Sequence, residues 1–192
     1  MKTPLTIVLT LLFSFTYGQI FKIKEMPEYN LSAINAVNKL RDSLKLSILE
    51  EDSILVSTAK HHAYYLVYGL SYDKYMMGHG EDIDIPNFEE IPKAVRLIYA
   101  KDEIQSYYGI SFKLRDTVKD IVKEADKNIL KDDGCNNFGE FYVKEYKESE
   151  SHYRIMITKD RTRIGTFSLL VYLKSDNEEF PMLYLVSVTN TK

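Results

Sequence analysis

Apolar positions recur at helical spacing through most of the chain and change to a two-residue period only near its end. Ile34, Val37, Leu40 and Leu44 fall on one face of a helix predicted over residues 31–43, with Asn30 or Ser32 as its cap. A second helix is predicted from Asp52 or Ser53, with Leu55, Ala59, Ala63 and Leu66 inward and Gly69 as its stop. Pro92 suits the first turn of a third helix reaching about Tyr99, and Leu114, Val118, Ile121 and Ala125 mark a fourth. After the turn at Asp133-Gly134, the stripe Phe138, Phe141, Tyr142 and Tyr146 predicts a helix that leads into His152.

The last part of the chain reads differently. Residues 162–174 and 180–189 are rich in β-branched and aromatic side chains and are separated by the polar stretch 175–179, which predicts an antiparallel hairpin. In the first of these strands Phe167, Leu169, Val171 and Leu173 alternate with Ile164, Leu170 and Tyr172, so both faces need cover. Four or five helices before a small antiparallel sheet, packed on both of its faces, give an α+β fold: a three-layer α-β-α sandwich.

The first 18 residues stand apart from this pattern. Lys2, the apolar run 5–15 and the exit Thr16-Tyr17-Gly18 have the layout of a signal peptide, with Gln19 as the expected mature start. The run is too short for a permanent span, so a secreted or periplasmic protein with no membrane span in its mature chain is expected. The remainder has single-domain length, with residues 19–29 as a lead-in and 30–192 as the domain. The single cysteine, Cys135, cannot close an intrachain disulfide and reads as a half-buried thiol near a turn. A net charge of −3 with acids and bases interspersed gives no nucleic-acid surface and no polybasic membrane patch. Fifteen tyrosines and no tryptophan suit a core, an interface or a glycan surface alike.

Two ordered sets of residues resemble the CAP superfamily of cysteine-rich secretory, antigen five and pathogenesis-related proteins, also called SCP-like. Bacterial members carry N-x-x-R, G-L-x-P-L, D-x-x-L and A-x-x-H-A; here Asn38, Arg41, Leu46, Leu49, Asp52, Leu55, Ala59, His62 and Ala63 follow at matching intervals, with Lys45 and Ile48 in place of the glycine and proline. The later pattern, an aromatic, S-x-x-H and T-x-I-G, is matched by Tyr146, Ser149, His152, Thr162, Ile164 and Gly165. The resemblance runs from about Asn30 to Thr189 and implies an α-β-α sandwich.

It also implies a cleft in which two histidines and a carboxylate converge. His152 matches the later histidine, His79 falls where the earlier one is expected, and Glu81 or Glu124 is the carboxylate. Ser149, one helical turn before His152, joins the cleft and could bond to it. Two neutral imidazoles and a carboxylate suit a divalent metal such as zinc with an open position for water. The remaining histidines read as structural: His62 beside Ala59, Ala63 and Leu66 as a satisfied core residue, His61 as solvated. Asp82, Asp84, Glu89 and Glu90 lack the spacing of a calcium loop and read as a solvated acidic face. The leading functional expectation is a non-enzymatic extracellular binding module that takes a lipid, glycan or protein partner through this His-containing cleft. The alternative is a metal-dependent, peptidase-like hydrolase using His79 and His152.

Overall fold

The computed structural model describes residues 19–71, 100–110, 122–123, 125–127, 134–174 and 182–192. Its element order is β1 (Gln19–Glu25), α1 (Pro27–Ser43), β2 (Glu50–Glu51), α2 (Ser53–Ser71), β3 (Asp102–Ile110), α3 (Phe138–Lys147), α4 (Glu150–Ile157), β4 (Arg163–Lys174) and β5 (Met182–Thr191). One five-stranded sheet runs in the order β1-β4-β5-β3, with β2 paired in parallel to the start of β4. The other three pairings are antiparallel.

The expected sandwich is present. On β4, Phe167, Leu169, Val171 and Leu173 join Tyr184, Val186 and Val188 of β5 against Ala59, Ala63 and Leu66 of α2. On the opposite face, Ile164 and Leu170 join Leu183 and Leu185 against α1 and α3, with Met156 of α4 completing the layer. The two-sided apolar pattern of β4 therefore reflects helices on both faces of one sheet.

Several boundaries differ from the sequence-based expectation. Residues 19–25, expected as a lead-in, form an edge strand, and the Met26 N–H continues its ladder by donating to the Ser168 carbonyl at 3.0 Å. Helix α1 begins at Pro27, earlier than the expected Leu31, because proline at the first helical position gives up an N–H that has no partner there. Helix α2 runs through the buried Gly69 to Ser71; the cost of about 1 kcal/mol for one glycine is outweighed by burying Leu66 and Val67. Three strands, β1, β2 and β3, precede the last helices, where only helices were expected. The third helix, expected over 92–99, lies outside the described residues. So does most of the fourth, of which 122–123 and 125–127 are helical with Ala125 buried.

Most of the residues that carry the family resemblance have architectural work. Asn38 clamps Leu49 with two hydrogen bonds, donating from Nδ2 to its carbonyl (2.9 Å) and accepting its N–H (2.8 Å). Arg41 is fully buried, and its guanidinium donates to the carbonyls of Ser47, Met156, Thr158 and Arg161 at 2.7 to 3.3 Å. One side chain thus ties the loop after α1 to the segment between α4 and β4. Lys45, which stands where the motif has glycine, has φ +59°, the left-handed conformation that closes α1. The chain has left the helix by Leu44, which is exposed rather than inward. Asp52 caps α2 by accepting the N–H groups of Ile54 and Leu55 at 2.9 and 3.1 Å. Gly165 lets β4 approach that first turn: a Cβ there would stand 2.3 Å from the Leu55 carbonyl carbon and the Val56 nitrogen.

Candidate functional site

His152 lies within a helix of its own. The predicted single helix is two, α3 and α4, and the break between them at Glu148-Ser149 puts His152 in the first turn of α4, with the strand beginning only at Arg163. The stripe Phe138, Phe141, Tyr142 and Tyr146 faces inward as expected. It forms an aromatic ladder: Tyr29 of α1 stacks on Phe138 at 4.4 Å, Phe138 meets Tyr142 at 5.9 Å, Tyr142 meets Tyr146 edge-on at 4.5 Å, and Tyr146 meets the His152 ring edge-on at 5.1 Å. His152 is the last rung and is half-buried, so the ladder fixes one edge of the imidazole.

Ser149 is the residue before α4, in extended conformation, and its carbonyl accepts the Tyr153 N–H at 2.8 Å. Its hydroxyl pairs with that of Ser151 at 3.2 Å. His79, Glu81 and Glu124 lie outside the described residues, as do Asp82, Asp84, Glu89 and Glu90. Of the expected cleft, then, the structure describes His152 and Ser149. Among the described residues no three histidine, cysteine or acidic side chains gather as a metal would require.

The other histidine of the family pattern is buried as expected. His62 is fully enclosed on α2, its Nε2 2.8 Å from Gln105 Oε1 and its ring stacked on Tyr65 at 5.8 Å. Glu103, which sequence reading missed, lies 3.8 Å from His62 Nε2 with a side chain only 2% exposed. With its amide oriented to satisfy both neighbours, Asn190 donates to Glu103 at 3.2 Å and accepts from Thr58 Oγ1 at 2.9 Å. These groups form a polar knot between α2, β3 and β5 inside an otherwise apolar layer. The signal for Glu103 was its two-residue spacing from Gln105, which puts both on the face opposite Ile104, obscured by the charged start of the strand. Next to it, a single oxygen of Asp102, Oδ2, accepts from both Nη2 and Nε of Arg161, at 2.5 and 2.7 Å. His61, expected to be solvated, is half-buried, and Cys135 is half-buried after the turn at Gly134, as expected.

The described surface also holds a groove of about 550 Å³ between α1 and α3. Its lining combines Ala36, Leu40 and Val143 with Lys39, Lys144 and Lys147, and it ends at Glu148, the residue before Ser149. Sequence reading placed Leu40 in the core and identified no groove. Its signal was the small and basic residues beside the apolar stripes of both helices. Among the described residues no helix is long and apolar enough to cross a membrane.

No protein-family model matches the sequence, and no curated protein matches it. Solved structures do. An outer surface protein from Borrelia burgdorferi overlays with a TM-score of 0.51 at 15% identity, over 89% of this chain and 98% of that one. An extracellular protein containing an SCP domain from Bacillus anthracis gives 0.44 at 12% identity, covering 85% of this chain and 41% of that one. A cysteine-rich secretory protein from Staphylococcus aureus gives 0.39 at 12% identity, covering 83% and 39%. At these identities the likeness concerns fold alone. The chain is an α-β-α sandwich that overlays on the Borrelia burgdorferi outer surface protein along nearly its whole length, and in it Asn38, Arg41, Asp52, His62 and Gly165 hold the layers together.

Proposed function

We propose that this chain is an exported, non-enzymatic binding module that takes its partner through the helical side of the sandwich. The observation that carries the reading is the groove between α1 and α3, which sets the apolar Ala36, Leu40 and Val143 among three lysines and two glutamates. A pocket lined by apolar side chains with a few charged groups at its margin suits binding, since it desolvates a ligand and fixes its orientation. In this proposal the leader 1–18 directs export, and the partner is a lipid, glycan or protein outside the cytoplasm.

The competing chemistry needs His79, His152 and Glu81 to share a divalent metal such as zinc, whose bound water would then attack a peptide. Backbone NMR of the exported protein separates the two readings. Binding-module behaviour is a response to ligands confined to Ala36, Lys39, Leu40, Val143, Lys144 and Lys147, independent of metal. Zinc-dependent peptide cleavage that disappears in both His79→Ala and His152→Ala would overturn it.

A further inference from the structure

We infer that the groove between α1 and α3 is a docking site for an acidic amphipathic helix presented by a partner protein. The inference rests on the binding-module reading and names the partner's chemistry. Each wall of the groove is one helical stripe: Ala36, Lys39, Leu40 and Ser43 on α1, and Glu140, Val143, Lys144 and Lys147 on α3. Both stripes follow the spacing i, i+3, i+4, i+7, the set a helix presents to a neighbour packed alongside it. The two helices meet closely where Gly139 lies against Ser32 and Ala36, for a Cβ there would stand 2.2 Å from the Ser32 carbonyl oxygen. The groove lies beyond that crossing on both helices. Each stripe runs over eight residues, seven steps or about 11 Å of helix at 1.5 Å per residue, so about two turns of a third helix can lie along it with two or three apolar anchors.

Charge selects the kind of helix. Lys39, Lys144 and Lys147 line the groove against Glu140 and Glu148. Glu140 is turned toward Asn136, accepting its backbone N–H and its Nδ2 at 2.9 Å each, and this held carboxylate titrates below the ordinary range. The lysines come from both walls, Lys39 from α1 and Lys144 and Lys147 from α3. A series of acidic side chains flanking leucine-like anchors matches that distribution, in the helix-in-groove mode of recognition.

The test uses two fluorescent 14-residue helical peptides with leucine at i, i+4 and i+7, one with glutamate and one with lysine at the flanking positions, titrated into the exported protein. The acidic peptide should bind at least tenfold more tightly than the basic one, and should weaken as salt rises. Lys39 and Lys147 are exposed, so the K39E/K147E double variant should keep its circular dichroism and melting temperature while reversing the preference. Equal affinity for both peptides, or an unchanged preference in the variant, would overturn the inference. As a measurement independent of any variant, the acidic peptide should shift the amide signals of α1 and α3 in the wild-type protein. If oleate shifts those signals and neither peptide does, the helix inference falls and the binding-module reading stands; if no probe shifts them, both fall.

Discussion

Lys45 shows how a single residue can keep the backbone geometry of a motif without its usual side chain. The motif's glycine would take the left-handed conformation freely, whereas Lys45 holds φ +59° against the crowding of its own Cβ. Its N–H donates to the Asp42 carbonyl and that of Leu46 to the Arg41 carbonyl, both at 2.9 Å, so the turn that closes α1 keeps the lysine in place. Lys45→Gly should therefore stabilise the fold, by about 0.5–1 kcal/mol in urea denaturation; a loss of stability would show that the lysine side chain holds the turn. Tyr142 gives a second residue-scale expectation. Burial holds its phenol well above the usual value of 10.0, and burial together with Asp126 does the same for Tyr29. A raised folded-state pKa means that the neutral phenol's contribution is complete below pH 10 and is lost as the pH rises further, because the unfolded chain ionises first. Tyr142→Phe loses the hydrogen bond to Thr189 and should be about 1 kcal/mol less stable at pH 7, yet its stability should fall less steeply above pH 10 in a series of urea titrations. An identical alkaline slope would show that another group drives the loss.

Elements meet where side chains are absent. Gly139 and Gly165 are the contact points of α3 with α1 and of β4 with α2, and in both places an added Cβ would strike backbone atoms that cannot move independently of their helices. Gly165→Ala and Gly139→Ala should each destabilise by roughly 2–3 kcal/mol, measured as a lower urea midpoint. A change below about 0.5 kcal/mol in either would mean that the helices slide apart readily. At this scale the sequence was informative where an element has its own periodicity. The end of α1 and the start of α2, the hairpin β4-β5 and the inward stripe of α3 follow from apolar spacing and caps, and the structure places them where expected. It was uninformative for β1 and β3, whose strand character comes from their neighbours: in β1 the polar Gln19, Lys22, Lys24 and Glu25 keep no steady alternation, and β3 opens with Asp102 and Glu103. The α3-α4 break was also hidden, since Glu148 and Ser149 do not interrupt the helical pattern strongly enough to announce a corner.

For the whole molecule, the N-terminal strand is part of the fold. β1 covers the outer edge of β4, and its ladder passes directly into the start of α1 through Met26. A chain starting at residue 30 should therefore be less stable than one starting at Gln19 and more prone to associate through the bared edge of β4; equal melting temperatures and monomeric behaviour in both would make β1 dispensable. The site was far less legible than the fold. The motif residues that carry the CAP resemblance, Asn38, Arg41, Asp52, His62 and Gly165, are spent on clamps, caps and close contacts. Of the expected cleft, the described structure places only Ser149 and His152, while the groove between α1 and α3 needed two distant segments to be brought together. Zinc titration calorimetry of the chain starting at Gln19, run beside His79→Ala, His152→Ala and His61→Ala, separates the proposed binding module from a metal-dependent hydrolase. A binding module that works without metal should show no stoichiometric zinc site that depends on both His79 and His152; one equivalent of tightly bound zinc, lost in those two variants and kept in His61→Ala, would favour the hydrolase instead.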